Sequence, residues 1–108
     1  MSFTMNIYYK GQNGSAKEFA NEMISSGLVE EIRNKEGNLK YEYYEPLEDN
    51  ETILLIDSWK DQESLDKHHK SETMNKIIEL RNKYDLHMSV EKYILAESNY
   101  KDDKYIRK

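Results

Sequence analysis

Three residues close together in the chain could support acid–base chemistry around an aromatic ligand: Asp57, Trp59 and His68. Imidazole is the side chain whose ordinary titration lies nearest neutral pH, so His68 is the natural proton acceptor. Asp57 and Trp59 are two apart in an extended segment and share a face. The carboxylate could orient a histidine or hold a ligand's proton, while the indole offers a flat apolar wall with one N–H donor. Tyr41, Tyr43 and Asn6 are candidate polar groups for the same pocket. All six residues also have ordinary structural uses: Trp and Tyr fill cores, and a helix His is commonly exposed. His68 and His69 are adjacent, and neighbours on a helix point about 100° apart, so they do not converge easily on one ion. With His87 on another element and no familiar ligand spacing, no metal site is expected.

The elements that must position these residues follow from periodicity. Phe3, Met5, Ile7 and Tyr9 alternate with Thr4, Asn6 and Tyr8, as in a strand. Gly11-Gln12-Asn13-Gly14 breaks it, and Ser15 with Glu18 has the spacing of a capping box that opens a helix. Ala16, Phe19, Ala20, Met23, Ile24, Leu28 and Ile32 form its apolar stripe, weakened midway by Gly27 and ended by Gly37. Leu39, Tyr41 and Tyr43 alternate with Lys40, Glu42 and Tyr44 in a second strand, and Pro46 with Glu48-Asp49-Asn50 makes the turn.

The segment Thr52 to Trp59 is apolar on both sides and reads as a central strand covered on both faces. Asp61 and Ser71 can cap two short helices, the second carrying Met74, Ile77, Ile78 and Tyr84. Leu86, Met88 and Val90 alternate, and the phase moves by one at Tyr93 and Leu95, which predicts a last strand with a bulge. The order is βαββαβ: an α+β, ferredoxin-like domain with a four-stranded antiparallel sheet and both helices on one face. One chain this short has no layer left for the other face, so a second subunit is expected there. The domain is placed at residues 1–96, and the polar tail 97–108 is expected to be mobile, with Tyr100, Tyr105 and Ile106 able to dock on a neighbour.

Composition narrows the function. The 108 residues suit one domain, and a net charge of −5 argues against a partner bound through its phosphates, so nucleic acid is not expected. There is no cysteine, which removes disulfides, thiolate catalysis and Fe–S ligation. No run approaches the ~20 apolar residues of a membrane span, and the first residues do not form a signal segment; a cytoplasmic protein is expected. Nine tyrosines suit a partly wet cavity or a subunit interface.

The segment Asp57-Ser-Trp59-Lys-Asp-Gln-Glu-Ser64-Leu65-Asp-Lys-His68-His-Lys-Ser71, with Gly37 and Tyr41 ahead of it, resembles the antibiotic biosynthesis monooxygenase family. That family more often carries Glu where this chain has Asp57. The resemblance implies a homodimeric α/β barrel with a pocket between each sheet and its helices. It also implies an oxygenase that uses dioxygen but no metal, flavin or haem and acts on a small quinol or polyphenolic aromatic, with His68 as base, Asp57 as its partner and Trp59 as pocket wall. The alternative is a non-catalytic, small-molecule-binding or stress-associated dimer of the same fold. One branch of the superfamily degrades haem, but alignment through Gly14 and Trp59 puts Ile7 and Ile78 where that branch needs an Asn and an axial His. Haem degradation is therefore disfavoured.

Overall fold

A computed structural model describes residues 1–97 and 100–108. The chain runs β1 (Phe3–Lys10), α1 (Ser15–Ser25), α2 (Leu28–Arg33), β2 (Asn38–Tyr44), β3 (Thr52–Trp59), α3 (Gln62–His69), α4 (Glu72–Lys83) and β4 (His87–Tyr93). The four strands form one antiparallel sheet in the order β2-β3-β1-β4, which is the expected α+β, ferredoxin-like arrangement. In register, Phe3, Met5, Ile7 and Tyr9 face Trp59, Asp57, Leu55 and Ile53, so these eight residues share the face on which the helices pack. Helix α1 buries Ala16, Phe19, Ala20 and Met23 there, and α2 adds Leu28, Val29 and Ile32.

Where the structure departs from the sequence reading, the reasons are local. Gly27 adopts a positive φ of 87°, so the single helix read through Ile32 is two helices with a turn between them. Ile24 falls at the edge of the α1 stripe, about 100° round the helix from Met23, and stays exposed. The capping box does not form: Gly14 is the N-cap, and Ser15 Oγ instead accepts from the Gln12 N–H. Both Gly14 N–H and Asn13 N–H donate to the Glu51 carboxylate, which anchors the start of α1 to the turn before β3.

The bulge lies in β2, not in the last strand. Pairing with β3 jumps from Asn38↔Trp59 to Lys40↔Ser58, so Leu39 is the extra residue and turns outward instead of joining Tyr41 and Tyr43. Strand β4 pairs with β1 without interruption from His87 to Tyr93, and Leu95 falls beyond it. The caps at Asp61 and Ser71 are as expected; each side chain accepts from a backbone N–H three residues on.

Within the chain, β3 is covered on one face only. Leu54 and Ile56 on the other face are partly exposed, beside Tyr8 of β1 and Tyr44 of β2. Ser98 and Asn99 of the tail lie outside the described residues; Tyr100, Tyr105 and Ile106 are exposed, around a short 3-10 turn at Asp103–Tyr105. Among the described residues no helix is long and apolar enough to cross a membrane.

Candidate active site

The site lies between the helix-bearing face of the sheet and helices α3 and α4. A cavity of about 240 Å³ is lined by Asp57 of β3, His68 and His69 of α3, Tyr41 of β2 and Tyr9 of β1. Its remaining walls are mainly apolar, including Met5, Ile7, Leu55 and Met74. Larger clefts on the surface do not combine Asp57 with His68.

Of the six residues singled out from sequence, His68, Asp57 and Tyr41 line this cavity. Trp59 is fully buried behind His68, with the two rings stacked at 5.1 Å and 24°. Tyr43 stands behind Tyr41, the rings meeting edge to face at 5.8 Å. Asn6 is not brought to the site. It sits one residue out of phase with Met5 and Ile7 and pairs with Ile56 and Glu91, on the opposite face of the sheet.

Asp57 is almost fully buried, at 4% exposure, among apolar neighbours. Burial pushes its carboxyl up to about 7; the nearby Trp59 indole and the Asn38 amide favour the ionised form but only partly offset that cost. The Asn38 Nδ2–H contact is long, at 3.4 Å, and the Trp59 N–H closes no well-aligned hydrogen bond. Asn38 reaches Asp57 because it stands where the β2 bulge begins, a common way for a strand to re-aim a side chain.

His68, also 4% exposed, is displaced the other way. Burial, then the Lys35 ammonium, then His69 push its imidazole down to about 4. It is therefore neutral at pH 7, when Asp57 is near its midpoint. A group near 4 is a weak proton acceptor at neutral pH, whereas one near 7 is well matched to the task. Tyr41 is pushed well above its ordinary value by burial and stays a hydroxyl.

Sequence reasoning did not find Lys35, whose Nζ lies 2.8 Å from His68 Nδ1 and 2.8 Å from Ser71 Oγ. No periodicity marks a lysine in a turn. The only signal nearby was Gly37, whose φ of 89° and contact with Ser64 hold this loop against α3, where a Cβ would collide with the Ser64 side chain. Asn38 and Tyr9 were likewise not singled out. Among the described residues no group of three or more His, Asp or Glu side chains is arranged to hold a metal ion.

The opposed displacements of Asp57 and His68 have a measurable signature. The folded chain keeps the Asp57 proton to about pH 7 while the unfolded chain releases it near 3.8, so this group makes stability fall as pH rises through that window. The unfolded chain protonates His68 near 6.5 and the folded chain only near 4, so His68 makes stability rise with pH between them. The two offset each other from about pH 4 to 6.5. Relative to wild type, His68→Gln is expected to lose stability as pH rises over that range, and Asp57→Asn to gain it, with slopes up to ~1.4 kcal/mol per pH unit. Urea unfolding at several pH values checks this; parallel profiles for the two variants would contradict it.

Comparison with known proteins agrees with this architecture. The sequence profile of the antibiotic biosynthesis monooxygenase family matches residues 2–80, well over half of the chain. The chain is 28% identical over 67 residues to a Bacillus subtilis (strain 168) protein named "Putative monooxygenase YcnE", covering 62% of this chain and 68% of that protein. A solved structure of a conserved protein from Methanosarcina mazei Go1 superimposes with a TM-score of 0.73 at 26% identity, over 86% of this chain and 91% of the other. A Deinococcus radiodurans structure, titled a "putative antibiotic biosynthesis monooxygenase", matches at a TM-score of 0.75 and 14% identity, over 92% of this chain and 96% of that one; it supports the fold alone.

Proposed function

Because the chain belongs to the antibiotic biosynthesis monooxygenase family, we propose that its cavity binds a small quinol or polyphenol and oxidises it with dioxygen, using no metal, flavin or haem. The observation that carries this reading is the buried Asp57 carboxyl, held near pH 7 in a cavity it shares with neutral His68. Asp57 accepts a phenolic proton, and the imidazole N–H of His68 and the hydroxyl of Tyr41 hold the resulting anion. The electron-rich anion passes one electron to dioxygen, and the two radicals combine to form a C–O bond. The proton on Asp57 moves to the peroxide. The O–O bond then breaks, the ring carbon loses its hydrogen, and water leaves behind a carbonyl. One oxygen atom stays in the product, the other becomes water, and the substrate's own electrons supply the reduction.

The cavity's size fits this choice. A void of ~150 Å³ accepts benzene, so about 240 Å³ suits one substituted ring with dioxygen beside it. The partly exposed Leu54 and Ile56 on the open sheet face support a homodimer packed through that face. Light scattering is expected to give a mass near twice 12.9 kDa. For the chemistry, metal-stripped protein is given a panel of reduced quinols in an oxygen electrode. Uptake above the uncatalysed rate supports the oxygenase; tight binding of aromatics without uptake would instead make the protein a binding module.

A further inference from the structure

Lys35 is used by nothing described so far except the displacement of His68, yet its hydrogen bonds are tightly specified. Ser71 Oγ donates its one proton to the His68 carbonyl at 2.6 Å, so it can only accept from Lys35 Nζ at 2.8 Å, as it does from the Met74 N–H. Burial pushes the Lys35 ammonium below the usual lysine range and Glu31 of α2 partly offsets this; the ammonium is the form whose donors suit both contacts. An ammonium has donors and no acceptor, so at the 2.8 Å contact His68 Nδ1 must be the acceptor. The ring proton is then on Nε2, and the Trp59 ring stacked against His68 helps to fix the plane in which that N–H lies.

We infer that Lys35 is a positioning residue that holds His68 as its Nε2–H tautomer, which makes the imidazole a fixed N–H donor to an anion in the cavity. The inference rests on the reading of the cavity above only for what the anion is; the tautomer itself does not depend on turnover. Lys35 touches neither substrate nor dioxygen. It acts through His68, as carboxylates and carbonyls do when they fix the tautomer of a functional histidine. The other charged or titratable groups that bear on the two side chains are His69, Glu31 and, across the cavity, Asp57.

The test is the imidazole nitrogen spectrum of protein labelled with 15N-histidine, with His69→Gln and His87→Gln used for assignment. Wild-type His68 is expected to show a bare Nδ1 and a protonated Nε2 throughout neutral pH. Lys35→Met should give a mixture of tautomers and let His68 protonate at higher pH, whereas Lys35→Arg, which keeps a donor, should restore the wild-type pattern. A wild-type His68 protonated on Nδ1, or a Lys35→Met spectrum identical to wild type, would overturn the assignment. In quinol turnover, Lys35→Met should lower kcat by up to about 10²-fold with little change in KM, the scale of losing one donor to a developing anion. If wild type turns over no quinol, the oxygenase reading fails while the tautomer result still decides the role of Lys35.

Discussion

Asp57→Asn is expected to lower quinol-dependent oxygen uptake by about 10²- to 10⁴-fold while leaving the protein folded, because it keeps the side chain's shape and removes the proton acceptor of the proposed reaction. The variant should also be more stable than wild type at pH 8, where the native chain holds a buried carboxylate raised to about 7 and the variant holds a neutral amide. Loss of activity with a gain in stability is the signature of a group retained for chemistry. Wild-type uptake should rise with pH through about 7 as Asp57 ionises. His68→Gln keeps an N–H donor near the same place and is expected to lose less activity. Oxygen-electrode rates paired with urea unfolding check both halves, and an Asp57→Asn variant with wild-type uptake would return the role of base to His68.

Trp59→Ala is expected to destabilise the fold by about 3–5 kcal/mol, the usual cost of deleting a large aromatic side chain from a packed core. Trp59 is fully buried at the end of β3 and stacks on His68, so the cavity left behind would also free the imidazole from its plane. Trp59→Phe keeps a ring and should cost less. Urea denaturation of the two variants measures the difference. An unchanged midpoint for Trp59→Ala would mean that the indole mainly lines open space.

The architecture was legible because its signals are periodic. The alternation in β1, the apolar run of β3 and the caps at Asp61 and Ser71 are properties of short windows, and each element appears in the structure where the sequence put it. The errors came where one residue changes the phase: the bulge that turns Leu39 outward, and Gly27, where a positive φ splits one apolar stripe into two helices. The site was partly legible. Asp57 and Trp59 share a strand face by simple alternation, and the same rule should have removed Asn6, since it is out of phase with Met5 and Ile7. Lys35 and Asn38 could not be read, because what brings them to His68 and Asp57 is a turn and a bulge that close on α3 and β3, and no window around either residue contains its partner.

The proton assignment was not legible for a related reason. By residue type the histidine is the obvious base and the aspartate its helper. The proposed mechanism exchanges these roles, because burial lifts Asp57 and lowers His68, and Lys35 adds its charge on the His68 side only.

The central claim, that this cavity inserts one oxygen atom of dioxygen into a quinol, is tested most directly by turnover under 18O2 with metal-stripped protein and mass spectrometry of the product. One 18O in the product and one in water, with the yield lost in Asp57→Asn, is the predicted result. An oxidised product without label, accompanied by hydrogen peroxide, or no product beyond the uncatalysed background, would contradict it.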